Sequence, residues 1–187
     1  MILSGDAIAA GVAAGDIVIN PFDPAHLEPN SYGFHLGDEI LSYSDPVLEP
    51  NRTPTVIRHL IGPNGMLLEP NRCYLGSTYE QMGSHWHAAT LYANRSVSTL
   101  GLWIHYSAPL GHSGATIVWT LEMMVARRLR IYRRMPIGKI AFWTLAGRTA
   151  TYRGRYMESK TTIPSRFWQD SPSDSPDRRL SPLAKGG

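Results

Sequence analysis

The stretch "TIVWTLEMMV" at 116–125 holds one charged residue, Glu122, in an otherwise core-like run. On a strand, side chains alternate between faces. Ile117, Trp119, Leu121, Met123 and Val125 then share a wholly apolar face, and Val118, Thr120, Glu122 and Met124 share the other. Two readings follow for the carboxylate. It faces water across a half-wet sheet, because glutamate is rarely buried unpaired. Or it stands in a semi-apolar cleft lined by Val118, Thr120 and Met124, where partial desolvation makes a carboxylate usable as both acid and base.

Other chemistry-bearing residues give less. "HWH" places His85 and His87 on one strand face as two ligands of a metal seed, but no third ligand is identifiable, so a structural role is favoured. With one cysteine, Cys73, the zinc-deaminase pattern H-x-E with P-C-x-x-C cannot be built. There is no P-loop, no G-x-G-x-x-G after a strand and no nucleophile elbow. The densest charge cluster, "RRLRIYRR" at 127–134, reads as a solvated edge strand. Leu129 and Ile131 face inward and Arg128, Arg130, Tyr132 and Arg134 outward, an arrangement that discourages edge-to-edge association. Nucleic-acid binding calls for a broader basic footprint.

The elements that must position these residues are short. Ser4 caps a helix with Asp6 in its first turn, and Gly15 stops it. Asp6 before "AIAAGVAA" and the absence of a preceding Lys or Arg mark this as a helix rather than a signal peptide. A strand begins at Ile17–Asn20, ahead of Pro21 and Pro24. Beyond it, helical periodicity is nearly absent. Short apolar runs between Gly/Pro clusters predict an all-β sandwich or barrel. "LEPN" recurs at Leu27, Leu48 and Leu68 without flanking similarity, as similar turns rather than a solenoid.

Composition agrees with one domain. The 187 residues are 43% hydrophobic and 18% charged, with 17 Gly and 14 Pro. A net charge of +3 and a pI near 9.1 suit a small anionic ligand as well as nucleic acid and argue for neither. A single cysteine forms no internal disulfide framework pointing to secretion, no membrane span is present, and a cytoplasmic home is the default. From 171 the Ser/Pro-rich "SPSDSPDRRLSPLAKGG" reads as a disordered tail, leaving 1–170 as the domain.

Five motifs, in order and spacing, carry a resemblance: "YLGSTYE" at 74–80, "NRSVSTLGL" at 94–102, "SAPLGHSGATIVWTLEM" at 107–123, "MPIGKIAFW" at 135–143 and "SKTTIPSR" at 159–166. With the opening "IVINPFDP" and "LEPNSYGFHLGD", they make residues 1–168 similar to the dCTP deaminase branch of the dCTP deaminase/dUTPase superfamily. The resemblance implies a mainly β, distorted β-barrel or jelly-roll subunit (dUTPase-like) with a short N-terminal helix. It implies a homotrimer with sites between subunits and a C-terminal segment closing over nucleotide. It implies metal-free hydrolytic deamination of a cytosine nucleoside or nucleotide, with no cofactor and Mg²⁺ only as companion to a polyphosphate, and with no nucleic-acid or membrane partner.

By the same resemblance Glu122 is the catalytic glutamate, and the backbone of Ser107 and Ala108 helps hold the water and the cytosine amino group. Arg95 or Ser96 matches the phosphate-binding serine. Trp119 and Thr120 flank the base-binding positions, and Tyr152, Arg155 and Lys160 lie in the closing segment, ready for phosphates. Four positions depart from the pattern. Thr99 replaces an arginine before L-G-L, His112 an aspartate at the sugar, Pro109 a histidine, and Gly33 an aspartate. With Glu122 kept, these changes favour deamination of an altered substrate. The rivals are a dUTP diphosphatase-like pyrophosphatase, which wants the acid that His112 replaces, and a non-catalytic nucleotide-binding trimer.

Overall fold

The computed structural model describes residues 1–148, 150–157 and 159–170, so the tail assigned to 171–187 lies outside the described residues. Helix α1 spans Gly5–Ala14. The Ser4 side chain accepts a hydrogen bond from the Ala7 amide at 3.3 Å, and Gly15 ends the helix in the left-handed region at φ 80°. Strands follow in chain order: β1 (Ile17–Asn20), β2 (Leu27–Glu28), β3 (Ser31–His35), β4 (Glu39–Tyr43), β5 (Val56–Leu60), β6 (Met66–Leu68) and β7 (Tyr74–Ser84). After β8 (His87–Ala93) comes a five-residue helix, α2 (Arg95–Thr99). The strands β9 (Leu102–Trp103), β10 (Leu110–Gly111), β11 (Thr116–Val125), β12 (Leu129–Ile131) and β13 (Pro136–Thr144) complete the set.

Two sheets and a ribbon result. One sheet runs β5-β4-β7-β11-β9, with β1 also pairing β7, and the other runs β10-β8-β13-β3-β2. β12 pairs β6. A single core joins the sheets: Ile17, Ile40, Met82, Leu121 and Met123 of the first cluster with Tyr32, Phe34, Leu91, Ile140 and Phe142 of the second. Each such side chain contributes about 1.5–3 kcal/mol by leaving water. Among the described residues no ladder closes a sheet on itself, so the mainly β expectation takes its two-sheet, jelly-roll form rather than a closed barrel. No helix among them is long and apolar enough to cross a membrane.

All three "LEPN" segments turn at Pro-Asn, at 29–30, 50–51 and 70–71, and Asn71 does so at φ 60°. "HWH" does not lie on one strand face. β7 ends at Ser84 and β8 starts at His87, which leaves His85 and Trp86 in the hairpin turn. Ser84 imposes this by accepting the amides of Trp86 and His87, each at 3.1 Å, on its hydroxyl. The basic cluster is an edge ribbon with Ile131 buried and Arg130 exposed, as its pattern predicts. Its charges are partly used: Arg134 makes a two-pronged pair with Asp38 and lies over the Tyr79 ring, and Arg128 pairs with Glu69.

The β7–β11 ladder changes register in mid-strand. Val118 pairs Gln81 but Thr120 pairs Ser77, so Thr78, Tyr79 and Glu80 of β7 stand opposite Trp119 alone. Thr78 fills the gap, its hydroxyl accepting the Trp119 amide (3.0 Å) and donating to the Glu80 carbonyl (2.7 Å). Glu80 faces inward with Thr78 and Met82 and is 2% exposed. There its Oε2 accepts the His35 amide (2.9 Å) and its Oε1 sits 2.6 Å from His35 Nδ1. The tautomer with its proton on Nδ1 makes both His35 nitrogens donors to the one carboxylate. Glu80→Ala leaves both donors unpaired beside the core and is expected to cost about 2–4 kcal/mol in urea denaturation, with Glu80→Gln costing less. A loss below about 0.5 kcal/mol, the range of a surface change, would show that this pair does not hold the bulge.

Candidate active site

The face of β11 that carries Glu122 is covered by the chain's own C-terminal segment. The Val118 amide donates to the Ser159 carbonyl at 2.9 Å, the Ile163 amide donates to Thr120 Oγ1 at 3.1 Å, and the Ser165 amide donates to the Tyr43 hydroxyl at 3.2 Å. This strap and the sheet enclose a cavity of about 460 Å³, lined by Glu122, Thr120, Trp119, His112, Tyr152 and Tyr156 among others. Glu122 thus stands in a cleft, not on an open sheet face.

The cleft's walls differ from the expected ones. Val118 and Met124 do not line it, whereas Ile117 and Trp119, expected on the core face, do. Ile117 precedes the register break, Trp119 stands at it, and Thr120 and Glu122 follow it, and all four reach the cavity. Trp119 is fixed there. Its Nε1 donates to the Met82 carbonyl at 3.0 Å, and its ring lies so close to Gly111 that a Cβ there would stand 2.0 Å from the indole. His112 stacks on Tyr152 with centroids 5.2 Å apart and planes at 22°. That stack occupies the place where the resemblance expects an aspartate.

Glu122 Oε2 accepts the Tyr106 amide at 3.0 Å. Beside it Tyr106 and Cys73 line the same cavity. Burial, then the Cys73 and Glu122 charges, push the Tyr106 phenol up to about 12, and burial also raises the Cys73 thiol. Both are therefore neutral hydrogen-bonding groups near pH 7. Among the described residues no three His, Cys, Asp or Glu side chains group to hold a metal ion.

Of the residues singled out in the sequence, Glu122, Ala108, His112, Trp119, Thr120 and Tyr152 line the cavity. Ser107 is exposed next to Ala108 without lining it. Arg155 is turned into the strap, its Nη1 donating to the Arg166 carbonyl at 2.7 Å, and Lys160 is exposed outside the lining. Arg95 and Ser96 lie exposed on α2, away from this chain's own cavity, and Thr99 ends that helix. Of the other departures, Gly33 sits on β3 and Pro109 just ahead of β10. Sequence reasoning missed Tyr43, Cys73, Tyr106 and Tyr156. Tyr156 lies in the closing segment already singled out, but Cys73 and Tyr43 reach the cleft only through strand pairing.

Comparisons with known proteins agree with this geometry. A family model described as dCTP deaminase-like matches residues 2–145. A "dCTP deaminase, dUMP-forming" of Cytophaga hutchinsonii is 36% identical over 171 residues, covering 91% of this chain and 98% of its own. A dCTP deaminase of Rhodopirellula baltica is 36% identical over 182 residues, covering 96% of this chain and 91% of its own. Among solved structures, the 2'-deoxycytidine 5'-triphosphate deaminase from Agrobacterium tumefaciens superposes on 75% of this chain with a TM-score of 0.61 at 18% identity, a likeness of fold. The chain spans about half of that one, 47% of its length.

The strap's hold on β11 is testable through Thr120. Thr120→Val keeps the shape but leaves the Ile163 amide without its acceptor, at about 1–3 kcal/mol. Tryptic cleavage after Lys160 and Arg166 is expected to quicken about five-fold or more as local opening becomes easier. Unchanged cleavage would show that the strap is held elsewhere.

Proposed function

We infer the function from one premise: the chain belongs to the dCTP deaminase-like family. On that premise it is a hydrolytic deaminase of a cytosine nucleotide, and Glu122 is its acid and base. The observation that carries this reading is the setting of Glu122: among the described residues it is the one carboxylate lining an aromatic cavity, with one oxygen held by a backbone amide.

The chemistry follows from that setting. Glu122 takes a proton from water as the water oxygen bonds to C4 of cytosine, and hands the proton to N3, which receives the electron pair of the C4–N3 double bond. The new hydroxyl proton then passes through the carboxylate to the amino nitrogen. The C4–N bond breaks, ammonia leaves, the C4 carbonyl forms, and Glu122 is again a carboxylate. Water and cytosine become uracil and ammonia, with proton transfer supplied by one side chain. Trp119 and the Tyr152–His112 stack supply flat apolar surfaces for a base and sugar.

Among the described residues no lysine or arginine lines the cavity. In this reading the phosphates project out of it and meet cations from a second copy, with Arg95 and Ser96 of the exposed α2 as their ligands in a homotrimer. Mg²⁺ enters only as the companion of a polyphosphate, and no bound zinc takes part.

The test is a panel of cytosine nucleosides and their mono-, di- and triphosphates, assayed for ammonia and diphosphate with and without a zinc chelator. Ammonia release from a nucleotide, unaffected by the chelator, is expected. The C. hutchinsonii relative's name, dUMP-forming, makes diphosphate the second product to watch. Diphosphate without ammonia would favour a pyrophosphatase instead. Binding without either product would leave a nucleotide-binding trimer.

A further inference from the structure

The strap is tied to itself as well as to the sheet. Arg155 Nη1 donates to the Arg166 carbonyl at 2.7 Å, and Arg166 Nη1 donates back to the Arg155 carbonyl at 2.6 Å. The two residues stand 11 positions apart, so this reciprocal pair closes the segment into a loop. Both arginines are half-buried. A bond from a cationic donor is stronger than one between neutral groups, and the flat guanidinium fork loses little freedom in making it.

The loop carries Tyr156 into the cavity wall. The Tyr156 hydroxyl accepts the Arg166 amide at 3.0 Å, and the Arg166 guanidinium lies over its ring, 5.9 Å from the centroid. The Tyr156 carbonyl takes two bonds from Ser159, one from its hydroxyl at 2.8 Å and one from its amide at 3.2 Å. Ser159 is 4% exposed, and its carbonyl accepts the Val118 amide of β11. A continuous path of hydrogen bonds thus runs from Arg166 through Tyr156 and Ser159 to the strand that carries Glu122.

We propose that Arg155 and Arg166 are positioning residues, a reciprocal clamp that preforms the strap and sets Tyr156 in the cavity wall before a ligand arrives. The clamp gives Arg155 a use other than the phosphate contact that the resemblance implies. A preformed strap spares the ligand the free energy of ordering it, so the clamp acts on affinity for every ligand alike. A phosphate ligand would instead act in proportion to the phosphates present. The kinetic part of the test rests on the deaminase reading of this cavity, and the clamp itself does not.

Arg155→Met and Arg166→Met each keep an unbranched apolar stem and remove the cation. The Val118 and Ile163 amides bind β11 to the strap and the strap to β11. Without nucleotide, hydrogen exchange at both amides is expected to quicken about ten-fold in each variant, the scale of one charge-assisted hydrogen bond. KM is expected to rise about ten-fold, by the same factor for every cytosine nucleoside and nucleotide that turns over, with kcat within about two-fold of the unaltered protein. Unchanged exchange in both variants overturns the clamp. So does a rise in KM that grows with each added phosphate, which would make these arginines phosphate ligands. If the unaltered protein releases no ammonia, the deaminase reading fails while exchange at Val118 and Ile163 still decides the clamp.

Discussion

The site depends on the mismatch between β7 and β11. Three residues of one strand stand against one of the other, and the single residue is Trp119. Residues at that excess serve both the core and the cavity. Inward, Glu80 reaches His35 at the end of β3, near where an isolated bridge joins Leu36 to Thr78 and the Gly37 amide donates to the Ser77 carbonyl. The two sheets are tied together at that point. Outward, Trp119, at the break, and Thr120 line one cavity with Glu122, a set that strict alternation would have divided between faces.

The second requirement is a lid made from the same chain. A carboxylate facing water at a sheet surface is an ordinary solvated group. Under a strap held by the Val118 amide, the Thr120 hydroxyl and the Tyr43 hydroxyl, it faces a cavity shared with Trp119, Tyr152 and Tyr156. Few formal charges enter that space, so the interactions of Glu122 with a water and a base are screened less than they would be in solvent. The Tyr106 amide then orients what the strap has enclosed.

The fold was largely legible because its cues are local. Ser4 and Gly15 bracket α1, Pro-Asn marks all three "LEPN" turns, and alternation separates Ile131 from Arg130. Helix α2 escaped, since five residues are too few to show a 3.6-residue period. Glu122 was legible as an exception in an apolar run, and the family resemblance gave it a role. What encloses it was not legible. Cys73 lies about fifty residues from Glu122 and joins it only through the β7–β11 register, which contains a break that alternation cannot foresee. Trp119 packs against the core with the rest of its apolar set and also lines the cavity, and a hairpin turn at His85 undid the shared face read from "HWH".

The central claim is that this one carboxylate moves the protons. Glu122→Gln keeps the size of the side chain and an oxygen to accept the Tyr106 amide, but it takes no proton from water. Ammonia release at saturating cytosine nucleotide is expected to fall about a hundred- to ten-thousand-fold, while nucleotide affinity and melting temperature stay near those of the unaltered protein. Retention of more than about a tenth of the turnover, far above what loss of a general base permits, would contradict the account.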